Sequence, residues 1–147
     1  MFRLELNKYQ YRSFISYAIA TCDSFSLVFE KDNVDKANYV HQKIYTALTG
    51  FVLSKTNIGI HPDTKTHFEH SDIVYFKCDK QSGSVFLTTD TVFDWNGNLL
   101  PGELCFYRKE KIWCACVCHE ERLVVFNATK DDMMFLMDKR MNYWHEM

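Results

Sequence analysis

Cys114, Cys116 and Cys118 alternate along the stretch CACVCHEE, with His119, Glu120 and Glu121 directly behind them. Thiolates and imidazoles are ligands of tetrahedral zinc, and a thiol beside a histidine is the pair a cysteine nucleophile needs. Spacing decides against both. The run KIWCACVC reads as an extended strand, so its three thiols share one face at steps of about 6.8 Å, whereas sulfurs on one zinc stand roughly 3.8 Å apart. A bulge could bring two sulfurs together, with Cys78, Cys105 or His119 completing a metal site from neighbouring strands. Without a bulge the cysteines act as small buried hydrophobes. Trp113, Ala115, Val117 and His119 then take the opposite face, and Cys118 cannot pair with His119. The expectation is no metal, no cofactor and no catalytic residue here, with His119, Glu120 and Glu121 as a turn whose His caps backbone groups and whose carboxylates are solvated; as a functional site they could form an acid/base pair or a polar recognition patch.

A second set of candidate ligands is His61, His67 and His70, with Asp63, Glu69 and Asp72 close by. All lie in KTNIGIHPDTKTHFEHS, the longest polar stretch, which reads as a loop. No H-E-x-x-H or comparable signature is met, so the set reads as a surface loop that binds nothing rather than a metal site; if the protein has a moving or partner-contacting segment, this loop is where it is expected. Gly-rich phosphate loops, G-x-S-x-G and paired-cysteine zinc ribbons are absent from the sequence, which weighs against the commoner enzyme classes.

The elements that must position these residues follow from periodicity. Phe2, Leu4 and Leu6 alternate as a first strand, and Asn7 caps a helix from Lys8 to about Cys22 whose apolar side is Tyr11, Phe14, Ile15, Ala18 and Ile19. Ser24 to Glu30 reads as a strand. A second helix is expected from Asn33 to Asp35 onward to about Gly50. DIVYFKCD and SVFLTTD read as two strands joined by KQSG, with Gly83 at positive φ. LCFYRK, KIWCACVC and RLVVFNA read as three more. Thr129 with Asp132 forms a capping box for a closing helix whose apolar face is Met133, Met134, Leu136, Met137 and Met141. Short hairpin links imply an α+β fold: an antiparallel sheet of about five to seven strands with two N-terminal helices and one C-terminal helix on one face.

At 147 residues, with 47% hydrophobic and 16% aromatic content, the chain is read as one domain spanning 1–147 with ample core. The 17 Lys and Arg are scattered among 19 Asp and Glu, with no concentrated basic segment to face phosphates, so a nucleic-acid partner is not expected. Arg3, Glu5, Lys8 and Arg12 interrupt the N-terminal apolar residues, so no signal peptide is expected, and nothing approaches the roughly 20 apolar residues of a membrane span. A cytoplasmic location follows, with all six cysteines as reduced thiols. Trp144, within Tyr143-Trp144-His145, needs a surface to dock on, either this domain or a second copy in a homodimer.

The segment from Trp95 to Glu120, WNGNLLPGELCFYRKEKIWCACVCHE, resembles a pattern in small proteins of Gram-positive bacteria and their mobile elements. In that group a Trp precedes L-P-x-x-L-C-F, a polar hairpin tip, a second Trp and a strand ending in S-H-E. Trp95, Leu100, Pro101, Leu104, Cys105, Phe106, Trp113, His119 and Glu120 stand at the matching places, and Cys118 replaces the Ser. The resemblance implies a bacterial accessory protein, of the kind encoded beside toxins or in conflict gene clusters, that acts by binding.

Three functions are compatible with these readings. The leading one is a non-catalytic binding protein of immunity or antagonist type that masks a partner protein through His67, His70, Trp95, His119, Glu120 and Trp144. The second is a small-ligand, nucleotide-like binder with a pocket between helices and sheet lined by Trp95, Tyr107 and Trp113. The third is a metal-dependent hydrolase using the histidine-rich stretch with His119 and Glu120.

Overall fold

The computed structural model describes residues 1–30 and 36–146, with side chains between 36 and 38 excepted. The expected start of the second helix, Asn33 to Asp35, lies outside them. Strands β1 (Phe2–Glu5), β2 (Ser24–Glu30), β3 (Val52–Ile60), β4 (His67–Lys77), β5 (Gly102–Arg108), β6 (Lys111–Val117), β7 (Arg122–Val125) and β8 (Asn142–His145) alternate with helices α1 (Lys8–Thr21), α2 (Lys36–Leu48), the single turn α3 (Lys80–Gly83) and α4 (Lys130–Asp138). One sheet of eight strands results, in the order β3-β4-β2-β5-β6-β7-β1-β8. Every pairing in it is antiparallel. The α+β class is as expected, but among the described residues eight strands and four helices replace the expected five to seven and three.

The extra strands come from polar sequence. KTNIGIHPDTKTHFEHS is no loop: its ends are the two arms of the β3–β4 hairpin, turning at residues 61–66. Its polarity reflects an edge strand wet on both faces, since most of β3 is exposed. At the other edge β8 pairs, among the described residues, with β1 alone, and takes up the Tyr143-Trp144-His145 run. Conversely, the expected strand at 84–90 is a 3-10 turn over Ser84–Thr88. Val85 and Phe86 are neighbours and both are buried, which a pleated strand facing one core does not allow. Asp79 caps α3 in a reciprocal capping box with Ser82, and so bends the chain into a helix where a hairpin was expected. Gly83 sits at φ −66°, not positive φ. What requires glycine there is proximity, because a Cβ would stand 2.7 Å from Cγ1 of Ile19 on α1.

The main core lies on the helix-covered face. Tyr11, Phe14, Ile15 and Ala18 of α1 are buried there as the helical period requires, and Phe14 stacks on Trp113 with centroids 5.7 Å apart. Each such aromatic contributes about 1.5–3 kcal/mol by leaving water. The packed residues of α2 and α4 join this same cluster, and none belongs to the smaller cluster of Cys105, Tyr107 and Ala115 behind the sheet. On α4 the apolar face is narrower than expected: Met133 and Leu136 pack inward, while Met134 and Met137 are exposed.

Thr129 and Asp132 form the expected capping box, and Asp132 does more than cap. Its buried carboxylate accepts hydrogen bonds from Tyr17 Oη at 2.6 Å, Trp113 Nε1 at 3.1 Å and both terminal nitrogens of Arg108 at 2.8 and 3.0 Å. The guanidinium also lies over the Trp113 ring, 4.1 Å from its centroid. One side chain thereby ties α4 to α1, β5 and β6. Burial alone would raise the Asp132 carboxyl, but hydrogen bonds from Arg108, Tyr17 and the Thr129 backbone outweigh it and bring it down to about 2.

The cysteine strand departs from plain alternation at two places. Tyr107 pairs with Ile112 and Phe106 with Cys114, so Trp113 is the extra residue of a bulge. Trp113 therefore shares the core face with Cys114 and Cys116, not the opposite face expected for it. The strand then ends at Val117, and Cys118 opens a 3-10 turn that continues through His119 and Glu120. The turn brings Cys118 Sγ to 3.0 Å from Cys116 Sγ. All six cysteines are free thiols. Among the described residues no group of three or more His, Cys, Asp or Glu is placed to hold a metal ion, and no helix is long and apolar enough to cross a membrane.

Candidate functional site

The β3–β4 hairpin forms one edge of the sheet, with most of β3 exposed. Its arms are bent: the β3–β4 register slips between Ile58 and Ile60, and His70 takes φ +49°. Both irregularities sharpen strand twist, and the tip folds over the back of the sheet. There His61 is fully buried against Cys105, with its Nε2 3.9 Å from the sulfur. Its Nδ1 accepts from the backbone N–H groups of Asp63 at 3.1 Å and Thr64 at 3.2 Å, which assigns the ring proton to Nε2. Burial lowers the imidazole to about 4, so it is neutral. His61 is a peg that holds the tip down, far from the roles expected of a ligand.

The groups around the peg satisfy one another. Tyr107 Oη donates to Asp63 Oδ2 at 2.7 Å, which leaves Ser26 Oγ to donate to Tyr107 at 3.0 Å. The Cys105 thiol is pushed well up by complete burial. A thiol in that condition is a poor nucleophile, and with Nδ1 occupied, His61 offers it no base. Burial raises the Cys22 thiol to about 11 and the Cys78 thiol to about 12 by the same cause.

From the tip a line of polar contacts crosses the ends of the strands. Thr66 Oγ1 donates to Glu103 Oε2 at 3.2 Å, and Glu103 Oε1 lies 4.0 Å from Nδ1 of the half-exposed His119. Glu103 is a buried carboxylate at φ +52°, a left-handed conformation that a side chain of this size rarely adopts. Burial raises its carboxyl, while Thr64, Thr66 and His119 act against the rise. His119 Nε2 lies 3.7 Å from Glu120, and Glu120 accepts from Arg122 at 2.9 Å. Arg122 also clasps Glu146, Glu146 lies 3.9 Å from Arg3, and Arg3 covers the Trp144 ring at 5.4 Å. The line joins the hairpin tip at one edge of the sheet to β8 at the other.

Of the residues expected at a partner surface, His119, Glu120 and Trp144 belong to this line. His67 and His70 are exposed on β4 beyond it. Trp95 lies in the core, fully buried, with Nε1 donating to Tyr11 Oη at 3.3 Å. The alternative ligand set is divided by the sheet, because Trp95 and Trp113 belong to the main core while Tyr107 belongs to the cluster behind it. The metal-ligand set is divided too: His61 is enclosed, and Asp72 sits opposite Asn57, to which it is hydrogen-bonded at 3.3 Å. Glu103, Arg122, Glu146, Leu53 and Ile60 were not foreseen. Glu103 carries a sequence signal, since it is the one charge in the apolar run of LPGELCFY.

Beyond the polar line, the outer backbone of β3 is the exposed feature of greatest length. Nine residues, Val52–Ile60, pair on one side only among the described residues, and Leu53 and Ile60 are 59% and 50% exposed along them. Compared with known protein families, curated proteins and solved structures, the chain matches none.

Proposed function

We propose that the chain is a non-catalytic binding protein that holds an extended segment of a partner protein against the outer edge of β3. The observation that carries this reading is that edge itself: a nine-residue strand that pairs on one side only among the described residues, with two exposed apolar side chains. Such an edge offers main-chain hydrogen bonds for affinity and side-chain contacts for selectivity. His67 and His70 on the neighbouring strand supply the rim, while His119 and Glu120 follow along the polar line and Trp144 stands at the opposite edge of the sheet. The W…LPxxLCF…W…HE resemblance favours the immunity or antagonist form of this reading, with a bacterial toxin or conflict protein as the masked partner.

Co-expression with the product of a neighbouring gene, followed by affinity capture, is expected to yield a stoichiometric complex. The double variant Leu53→Lys/Ile60→Lys should weaken that complex about tenfold or more in Kd. Its stability should stay within about 0.5 kcal/mol of the parent, because both side chains are exposed. A double variant that binds as tightly as the parent removes the edge as the binding surface.

A second reading rests on a separate observation. A cavity of about 420 Å³ opens between α2 and the sheet, lined by Phe29, Glu30, His41, Tyr45, Lys55 and Val74 among others. His41 is buried there, and among the described residues neither of its ring nitrogens completes a hydrogen bond, although the carbonyls of Leu100 and Asn98 lie close to the ring. Glu30 and Lys55 line the same cavity and would offer a small polar ligand an acceptor and a donor. In a thermal-shift screen of nucleotides and related small molecules, a true ligand raises Tm with concentration. His41→Phe should abolish that rise, and a screen without a concentration-dependent rise discards this reading.

A further inference from the structure

We infer that Cys116 and Cys118 form an oxidisable dithiol that closes to an intramolecular disulfide between the end of β6 and the turn that follows it, with a peroxide as the oxidant. The two sulfurs stand 3.0 Å apart, so bond formation requires them to close by about 1 Å. The turn makes this possible. Along a straight strand, residues i and i+2 are about 6.8 Å apart, at the outer limit for a disulfide. The change to a 3-10 turn at Cys118 folds the second thiol back toward the first. Cys114, one step earlier on the same face, remains within regular strand and has no comparable sulfur neighbour in hydrogen-bond range among the described residues.

Cys118 is the sulfur that meets the oxidant, since it is 7% exposed and Cys116 is 0% exposed. Its sulfur attacks one peroxide oxygen, the O–O bond breaks, and one water leaves as Cys118 becomes a sulfenic acid. Cys116 sulfur then attacks the sulfenic sulfur, the S–O bond breaks, and a second water carries off the remaining thiol proton. Two thiols and one hydrogen peroxide thus give one disulfide and two waters.

Closure has a structural consequence nearby. Cys118 S–H donates to the Trp95 carbonyl at 2.8 Å, and Cys116 S–H approaches the Val92 carbonyl at 3.6 Å. Oxidation removes both donors. Each carbonyl keeps one backbone partner, from Glu103 N–H and Trp95 N–H respectively. The segment that carries Trp95 is therefore loosened rather than released, and the His119–Glu120 turn is drawn toward β6.

The test uses the full chain. Folded protein is treated with hydrogen peroxide, quenched, denatured, alkylated and cleaved after Lys and Arg, which leaves Cys114, Cys116 and Cys118 together on the peptide 112–122. The expected product is lighter by two hydrogens, with Cys114 alkylated and fragment ions placing the bond between Cys116 and Cys118. Treatment with dithiothreitol before alkylation should return three alkylated thiols, and the oxidised protein should show altered tryptophan fluorescence that reverses with it. Three freely alkylated cysteines after peroxide, a bond between Cys114 and Cys116, or sulfinic acid without a disulfide would each overturn the assignment.

Discussion

At one edge of the sheet β8 offers four residues, and at the other β3 offers nine. Over β8 the side chains of Arg3, Arg122 and Glu146 are clasped together, with the Trp144 ring beneath Arg3. Short length and interlocked charge are how natural sheets discourage further pairing. On β3 the one charged side chain, Lys55, turns inward to Asp72 at 3.6 Å and to the Tyr45 ring at 5.2 Å. Leu53 and Ile60 are left outward. One edge is finished and the other is available, and that asymmetry gives the partner reading its direction.

The comparison can be broken from the closed side. Asp132→Ala removes the acceptor of Arg108, Tyr17 and Trp113 and leaves a half-buried cation behind, at a cost of about 3 kcal/mol or more. Chemical denaturation measures the loss. Hydrogen exchange should locate it, with amides of α4 and β8 opening more than those of the β3–β4 hairpin. Uniform opening of both edges would mean that the sheet yields as one unit and that its edges are not independently held.

From the open side the lever is acid. His61 stays neutral in the folded chain down to about 4, against an ordinary value of 6.5, so the unfolded chain binds its proton first as pH falls. The stability it protects is complete above pH 6.5, declines between 6.5 and 4, and amounts to about 3 kcal/mol. Urea unfolding at stepped pH should show that decline, and His61→Gln should flatten it. A parent and a variant with the same pH profile would show that the hairpin tip is not pegged by a neutral imidazole.

The smallest effect is expected from the clasp on β8. Glu146→Ala should cost under about 1 kcal/mol, and less at high salt, because exposed ion pairs are weak and screened. Its informative readout is association. With the clasp removed, β8 should begin to self-associate at concentrations where the parent stays monodisperse, whereas a variant as monodisperse as the parent would show that short length alone closes that edge.

How much of this could be read in advance differs along the chain. The periodicity of Tyr11, Phe14, Ile15 and Ala18 gave α1, and the Thr129–Asp132 spacing gave the cap of α4, because burial of one face leaves a regular trace in the residues. The edge hairpin leaves none. Both faces of β3 are wet, so Lys55, Thr56 and Asn57 look like loop residues and only pairing with β4 makes them strand. Ser84–Thr88 failed for the opposite reason: Val85 and Phe86 are strand formers by composition, but capping by Asp79 and the close approach of α1 to Gly83 decide their backbone. On the polar line, His119 and Glu120 were legible as polar residues where a strand gives way to a turn, whereas the strand that carries Trp144 was not. The burial of Trp95 and His61 was not, since it depends on a hairpin folding across the sheet and on Tyr11 meeting the indole from another element.

The extra residue at Trp113 divides β6 into two halves whose inside and outside are counted from different origins. Length changes in the tip at 109–110 can be absorbed ahead of that offset, so Cys114 and everything after it keep their orientation while the tip grows or shrinks. The position separates the surface turn at Lys109–Glu110 from the buried half of the strand.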